Sequence, residues 1–372
     1  MLTEKQEKFR GCILGGAGGD ALGYRVDSLS LEGIREEFGP EGIQGYDLAN
    51  GYAEISAHTQ CALFTANGLL FGNTRGCTRG VMAPYVKYVE AALKDWAKTQ
   101  RYGAFRRERS YCWLSALPQL HARRGAEIGL LDVLNRDRCG TMEESANSSK
   151  SCGGMTRVSG IGLFFSPERM APEEADRLGA EAVALTHGSP FGFLPGAAYV
   201  HILRNIVHGG MKPKEAVLDG AEALVRDFGG AYPQAAGQIA QSLRQAVNLA
   251  GNEDTESWDA VELLGGGITA QEVLAVGCYV ALRYGDDFDR AMVAAVNHSG
   301  HSAAVGSVAG SLLGACLGEK AIPEFYLEPL ELREIMEELA EDLIRGCPMS
   351  VRAGVFDDQW DTKYVQCTYE EP

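Results

Sequence analysis

The chain has 372 residues, of which 45% are hydrophobic and 23% are charged, an ordinary globular composition that can bury one large core. Its formal net charge of −16 repels phosphate backbones and anionic lipid, so we expect it to bind neither nucleic acid nor membrane surfaces. The ten cysteines include no Cys-x-x-Cys pair, which argues against a zinc ribbon and favours reduced thiols in a cytoplasmic protein.

Neither the first residues nor the apolar stretches resemble a targeting or membrane-spanning segment. Charged residues lie within positions 4–8, where a signal peptide would need an apolar region, so we expect no export. The longest apolar stretch, 303–318, is mostly Gly, Ala and Ser, which indicates close helix packing. Because no linker divides the chain, we predict one domain over residues 1–372. A basic cluster is expected to form a solvated helix face and comprises Arg101, Arg106, Arg107, Arg109, Arg123 and Arg124.

Helical periodicity dominates the chain and predicts an all-α protein. Apolar residues recur at three- and four-residue spacing in the segments 6–14, 81–96, 173–186, 194–208, 232–251, 270–284 and 330–345. Sustained alternation with a period of two is scarce. The connecting segments are rich in Gly, Ser, Asn and Asp, and chemistry on a helical scaffold is expected in them.

A cluster of glycines follows the first predicted helix, at residues 15–19. The spacing of Gly16, Gly18 and Ala21 is superficially that of a dinucleotide-binding loop. Such a loop follows a buried strand, whereas the preceding segment 6–14 has the pattern of an amphipathic helix. We therefore interpret the cluster as a place of tight helix packing beside a pocket.

Four segments in order along the chain resemble the ADP-ribosylglycohydrolase family. They are Arg10 to Gly23 with Gly-Asp-Ala-Leu-Gly at its end, followed by Asp27; 55–60, leading into a helix; 147–157, followed by Thr-His at 186–187; and 297–304, running into a small-residue helix. The resemblance covers about residues 8–320. It implies a compact helical bundle, a cleft for ADP-ribose-like ligands and a pair of magnesium ions. It also implies hydrolysis of the bond that joins ADP-ribose to a protein side chain or a related acceptor.

The chain departs from the family at the positions that hold the metal ions in relatives. Relatives have Ser/Thr-Asp-Asp-Thr where this sequence has Ser56, Ala57, His58 and Thr59, and Asp where it has His301 and Ala303, with Ala304 beside them. Magnesium requires oxygen ligands and charge-balancing carboxylates, which alanine and histidine do not supply. We therefore expect the magnesium pair to be lost and no cofactor to be bound. The segment 265–268 also lacks the acidic residue and tryptophan common in relatives.

The loop that cradles phosphates in relatives is retained. The resemblance implies that it binds an ADP-ribose-like molecule or an ADP-ribosylated substrate, through Asn147, Ser148, Ser149, Gly153, Gly154, Met155, Arg157 and His187. The leading interpretation is a protein that binds ADP-ribose or an adenine nucleotide without magnesium-dependent hydrolysis.

Two other interpretations stay open. One is an active enzyme, either metal-free, with His58 or His301 as general base and Asp20 or Asp27 orienting it, or with a transition metal on the two histidines. Asp20, Asp27, Cys61 or His298 would complete that metal site. The other is a structural or partner-binding protein that keeps the scaffold for its shape. The acceptor group and the oligomeric state do not follow from the sequence.

Overall fold

The computed structural model describes residues 2–27, 29–101, 110–252 and 254–369, so Arg106, Arg107 and Arg109 of the basic cluster lie outside the described residues. Within these ranges the chain is helical, and its only β-type pairings are three isolated bridges. The predicted all-α class is confirmed. None of the helices in these ranges is long and apolar enough to cross a bilayer.

The α-helices of the described ranges are α1 (Glu4–Tyr24), α2 (Leu31–Phe38), α3 (Ala57–Arg79), α4 (Tyr85–Thr99), α5 (Ile128–Leu134), α6 (Ser159–Phe164), α7 (Pro172–Ala184), α8 (Pro190–Val207), α9 (Pro213–Phe228), α10 (Pro233–Ala250), α11 (Ser257–Leu263), α12 (Ala270–Arg283), α13 (Phe288–Val296), α14 (Ser302–Leu317), α15 (Glu324–Leu327), α16 (Arg333–Arg345) and α17 (Asp358–Tyr364). Short 3-10 turns lie at Trp113–Ala116, Pro118–His121, Thr156–Val158 and Glu319–Ala321.

Local sequence chemistry explains where several helices begin. Thr3 closes a capping box with Gln6 at the start of α1, and Thr269 does the same with Glu272 at the start of α12. Proline occupies the first turn of α7, α8, α9 and α10, where its missing N–H has no helical partner to lose. The helix predicted from residue 81 begins only at Tyr85, because Pro84 holds an extended backbone before it.

The glycine cluster lies inside helix α1, which continues through it to Tyr24 instead of ending before it. A Cβ atom added to Gly11, Gly15 or Gly19 would stand 2.1–2.4 Å from a backbone oxygen of α14. The partners on α14 are glycines too, namely Gly314, Gly310 and Gly306. The two helices therefore pack backbone against backbone along this line, which we call the glycine seam. The predicted close packing of both segments is confirmed.

The glycine seam brings the end of α1 to the beginning of α14. At this end, a Cβ atom on Gly23 would lie 2.4 Å from the backbone of Ser302. The N-terminus of α3 lies at the same place, because Asp20 of α1 accepts hydrogen bonds from it. The segments around residues 20–27, 56–59 and 301–303 thus meet although they are far apart in the chain.

A second buried polar group links α7, α8 and α9. His201 is 5% exposed, and its Nδ1 lies 2.7 Å from Asp176 Oδ2 while its Nε2 lies 2.8 Å from Asp219 Oδ2. Asn205 donates a hydrogen bond to the same oxygen of Asp219. Burial alone would lower the pKa of His201, but the two carboxylates outweigh it and raise the pKa above its ordinary value.

This arrangement predicts a pH-dependent contribution to stability. Because the pKa of His201 is higher in the folded protein than the ~6.5 of an unfolded chain, its contribution is complete below about pH 6.5 and is lost as the pH rises through the folded pKa. Burial raises the pKa of Asp176, although its contact with His201 acts in the opposite direction. Thermal melts over this range should show a smaller loss of stability with pH in His201→Gln than in the wild type. Parallel curves would contradict the prediction.

Candidate functional site

Asp20 fastens the beginning of α3 to α1. It is fully buried, and its carboxylate accepts hydrogen bonds from the Ser56 backbone N–H at 2.9 Å, the Ser56 hydroxyl at 2.5 Å, the Thr59 N–H at 3.3 Å and the Thr59 hydroxyl. A carboxylate is favourable there because the first N–H groups of a helix lack helical partners. All these donors belong to the start of α3. The contacts favour a role for Asp20 in positioning α3, and its predicted part in catalysis, orienting a histidine, stays a prediction.

His58 lies in the first turn of α3, directly above this contact. Its backbone N–H donates to the Ser56 hydroxyl, and its Nδ1 lies 2.9 Å from the hydroxyl of Thr156. The imidazole is half-buried, so it is still reached by solvent. It therefore stands between α3 and the 3-10 turn that follows the predicted ligand loop.

Asp27 and His301 form a pair where the end of α1 meets the beginning of α14. His301 precedes α14, and its Nδ1 lies 3.8 Å from Asp27 Oδ2, while the other oxygen of Asp27 accepts the N–H of Ala303 at 2.9 Å. Burial alone would raise the pKa of Asp27, but His301, His58 and the Ala303 N–H outweigh it and lower the pKa. The nearby carboxylate of Asp27 raises the pKa of His301. This pair is 29% exposed at Asp27 and 39% at His301.

Glu127 carries no signal in the sequence, but the structure places it close to His187 and to the predicted ligand loop. Glu127 precedes α5 and accepts hydrogen bonds from the Ser151 hydroxyl, the Gly153 N–H at 3.1 Å and His187 Nε2 at 3.3 Å. Burial alone would raise its pKa, yet these donors and the nearby charge of His58 lower the pKa to about 2. Glu127 is therefore ionised at neutral pH while its side chain remains 31% exposed.

Together, Asp27, His58, Glu127, His187 and His301 form what we call the histidine cluster. His58 contributes to lowering the pKa of both Asp27 and Glu127, which come from different segments. His187 is buried, which lowers its pKa, and its Nδ1 lies 2.8 Å from the Thr186 hydroxyl. The cluster thus joins two ionised carboxylates and three imidazoles at a partly exposed place.

The predicted ligand loop is shaped by the side chain of Asn147. Its Oδ1 accepts the N–H groups of Ser149 and Gly188, each at 3.0 Å, and its Nδ2 donates to the Thr186 carbonyl at 2.8 Å. Ser148 is exposed beside it, and the Ser149 hydroxyl accepts the Ser151 N–H. Asn147 therefore braces the loop against the segment that carries His187, and Ser148 faces solvent.

Gly153 and Gly154 bring this loop into contact with the histidine cluster. A Cβ atom on Gly153 would lie 2.5 Å from Glu127 Oε1, and one on Gly154 would lie 2.6 Å from His187 Nδ1 and 2.7 Å from Val183 Cγ1. Only glycine leaves space for these side chains at the present backbone distance. The two glycines are therefore needed for the position of Glu127 and His187.

Met155 and Arg157, also predicted to contact ligand, lie beneath the loop. Both are 0% exposed. The Nη2 atom of Arg157 donates to the Ala182 carbonyl at 2.6 Å and to the Thr186 hydroxyl at 3.0 Å. Arg157 thus supports the His187 segment from below, without an ion pair among the described residues, and its predicted ligand contact stays a prediction.

The residues at the family's metal positions do not fit two magnesium ions. Ala57, Ala303 and Ala304 offer no ligand atom, the Ser56 hydroxyl donates to Asp20, and His58 and His301 offer nitrogen. Asp27 remains as one carboxylate, and Mg²⁺ demands near-octahedral oxygen coordination. A transition metal bound to the two histidines would need at least one further ligand. The described part of the chain holds no group of three or more His, Cys, Asp or Glu side chains arranged to bind an ion.

Comparison with known proteins agrees with this fold. The family model described as ADP-ribosylglycohydrolase matches residues 1–352. The chain belongs to the ADP-ribosylglycohydrolase family. The resemblance seen in the four sequence segments is therefore confirmed. Asp27, His58, His187 and His301 of the histidine cluster lie in or directly after those segments, whereas Glu127 does not.

Relatives of the family cover most of the chain at low identity. An uncharacterized protein of Archaeoglobus fulgidus is 27% identical over 91% of this chain and 96% of its own length. The ADP-ribosylhydrolase ARH3 of Mus musculus is 22% identical, with 91% of each protein covered. A solved structure titled ADP-ribosylglycohydrolase-related protein complex superposes with a TM-score of 0.59 and 24% identity over 92% of this chain and 99% of that one. This structural similarity shows a shared fold.

Proposed function

We propose that the protein binds ADP-ribose or a related adenine nucleotide, free or attached to a substrate, on the partly exposed surface formed jointly by the histidine cluster and the 147–157 loop, without magnesium-dependent hydrolysis. Family membership and the relative named ADP-ribosylhydrolase support the class of ligand. The observation that carries the proposal is the contrast between two halves of the site. The glycine loop keeps Glu127 and His187 in place, while the metal positions carry alanine and histidine.

The charges of the site are compatible with an anionic ligand that arrives without metal ions. Lys150 and Ser148 are exposed on the loop and can donate to phosphate oxygens. Asp27 and Glu127 would repel phosphates, but His301 offsets this repulsion at short range when it is protonated. Because Asp27 raises the pKa of His301, affinity for ADP-ribose should increase as the pH falls through that value.

Calorimetric titration with ADP-ribose tests this proposal directly. We expect saturable binding that is equally strong in Mg²⁺ and in EDTA, because no step of binding requires the ions. An absence of binding under both conditions would refute the ligand. Affinity that rises more than tenfold with Mg²⁺, or rapid Mg²⁺-dependent release of ADP-ribose from a modified substrate, would refute the loss of the metal pair.

Gly154→Val is expected to weaken ADP-ribose binding at least tenfold. The new side chain would push against His187 and Val183, and the loop would move away from the cluster. Gly237→Val is the matched control, since a side chain at this exposed position of α10 meets nothing within 4 Å. Far-ultraviolet circular dichroism must show that both variants are folded. Equal affinities in folded Gly154→Val and wild type would contradict the placement of the ligand.

A metal-free hydrolase is the second candidate, and the ionised Glu127 is the observation that favours it. A carboxylate can stabilise the positive charge that develops at the anomeric carbon when the glycosidic bond breaks. His301, oriented by Asp27, would accept a proton from the attacking water, whose oxygen bonds to that carbon. His58 would supply a proton to the leaving group. No metal takes part in any of these transfers.

This second candidate predicts turnover in EDTA that depends on Glu127. Glu127→Gln should lower kcat about 100-fold or more, because it removes a charge that acts in the transition state, while the side-chain shape is kept. The measurement is release of ADP-ribose from a modified substrate. Asp47→Asn is the control, because Asp47 is an exposed carboxylate whose ion pair with Arg25 is not part of the histidine cluster. Wild-type release no faster than the spontaneous reaction would eliminate this candidate and leave the binding proposal standing.

A further inference from the structure

A concave pocket lies outside the histidine cluster. It has a volume of about 290 Å³ and lies between α2, the 40–44 segment, α11 and α13. Its lining includes Arg35, Trp258, Tyr284, Arg290 and Asn297. None of these residues belongs to the histidine cluster or to the 147–157 loop, so the proposed ADP-ribose site does not use this pocket.

The two arginines of this pocket are held by aromatic rings and have no acidic partner. The guanidinium of Arg35 lies 5.3 Å from the ring centre of Trp258, and that of Arg290 lies 5.3 Å from the ring centre of Tyr284. Within the described residues, no carboxylate comes within 4.0 Å of either guanidinium, whereas Arg25, Arg333 and Arg345 all have one. The pocket lining also includes Glu41 and Asp289, but neither carboxylate pairs with these two arginines, and Asp289 accepts the Tyr326 hydroxyl instead. In a chain of net charge −16, the two guanidiniums are thus left with hydrogen-bond donors available to a ligand.

Trp258 supplies an exposed aromatic surface at the same place. It is 47% exposed, whereas the other three tryptophans of the chain, Trp96, Trp113 and Trp360, are at most 1% exposed. An exposed indole loses the free energy of burial that the other three gain, and such a residue commonly stacks on a ligand ring. Arg35 covers part of the indole, and a flat ligand can stack on the remainder.

The pocket wall is rigid enough to be formed before a ligand arrives. Asn297 accepts the Ile43 N–H at 2.9 Å and donates to the Ile43 carbonyl at 3.0 Å. Gly42 has a φ of +73°, and a Cβ atom there would stand 1.9 Å from Asn297 Oδ1. The Ser299 hydroxyl accepts the Leu31 N–H at 2.9 Å, which fixes the start of α2. Little reorganisation is therefore needed on binding.

We propose that this pocket binds a small planar aromatic ring that carries a phosphate or a carboxylate. The ring stacks on Trp258, and the anionic group lies between the guanidiniums of Arg35 and Arg290. Arginine suits this role because its planar fork donates two parallel hydrogen bonds to a carboxylate or phosphate. Glu41 and Asp289 line the same pocket, and their negative charges disfavour larger polyanions. The pocket volume accommodates a ligand of about mononucleotide size or smaller.

Tryptophan fluorescence tests the proposal, because Trp258 is the exposed tryptophan among the four. The probes are AMP and an aromatic carboxylate such as benzoate, with adenosine and inorganic phosphate as probes that lack the anion or the ring. We expect AMP, benzoate or both to quench the fluorescence saturably and to protect Trp258 from acrylamide. Binding of AMP alone indicates a phosphate ligand, and binding of benzoate alone indicates a carboxylate ligand. Adenosine and phosphate should bind at least tenfold more weakly.

Variants assign the signal to the pocket. Arg35→Gln and Arg290→Gln should each weaken binding at least fivefold, whereas Arg352→Gln, an exposed arginine on a distant loop, should leave it unchanged. Both pocket arginines are exposed, so these variants are expected to fold. Trp258→Phe should remove the signal and keep calorimetric binding. The proposal is refuted if neither AMP nor benzoate gives a saturable change, or if both glutamine variants bind like the wild type. It is also refuted if folded Gly154→Val abolishes the response, because the ligand then occupies the histidine cluster.

Discussion

Asp20→Ala is expected to lower the free energy of unfolding by about 3–5 kcal/mol, because it strips four donors at the start of α3 of their acceptor. The Ser56 and Thr59 groups are buried, so water cannot replace the carboxylate without opening the packing. The measurement is the shift of the denaturant midpoint in urea unfolding followed by circular dichroism.

The control for this variant is Asp47→Ala. Asp47 pairs with Arg25 at the surface, where its side chain is 52% exposed, and such a pair contributes about 0–1 kcal/mol. Asp20→Asn keeps one acceptor oxygen and should lie between Asp20→Ala and the wild type. If Asp20→Ala were no less stable than Asp47→Ala, the hydrogen bonds from α3 would not be what holds this corner of the protein together.

Gly310→Ala is expected to destabilise the protein by about 3 kcal/mol or more. The added methyl group would stand 2.0 Å from the Gly15 carbonyl oxygen, and that neighbour is backbone, which cannot turn aside as a side chain can. Thermal unfolding should show a large decrease of Tm, and loss of soluble protein would have the same meaning.

Gly237→Ala serves as the matched change for Gly310→Ala. Both replace a helical glycine by alanine, but a Cβ atom at Gly237 meets nothing within 4 Å. Since alanine has the higher helix propensity by roughly 1 kcal/mol, Gly237→Ala should stabilise the protein slightly. Opposite signs for the two variants are the expected result, and equal effects would contradict the close approach of α1 and α14.

Periodicity and local residue chemistry predict much of this fold. The apolar spacing in 270–284 predicts α12 almost to the residue, and the observed helix is Ala270–Arg283. The first helix is underestimated, because its interior is glycine, which has low helix propensity, and only the facing glycines of α14 make the continuation favourable. Such long-range packing is not visible in local spacing.

The candidate site is predictable only in part, for a similar reason. His58 and His301 stand at family positions that the sequence marks, and the structure brings their segments together. Glu127 has no such signal, since it lies in a charged, irregular stretch that reads as surface. Its place in the site is visible only in the structure, where its carboxylate accepts hydrogen bonds from Ser151, Gly153 and His187. Exposure, too, is invisible in the sequence, as the buried Arg157 shows.

The main-chain contact between α1 and α14 makes the packing of these two helices independent of the side chains in the candidate site. Atoms of the peptide groups hold the two helices together, so this contact does not depend on the side chains at 57, 58, 301 and 303. A chelator should therefore leave the melting temperature unchanged. Such independence allows residues of the site to change in evolution while the positions of the surrounding helices are kept.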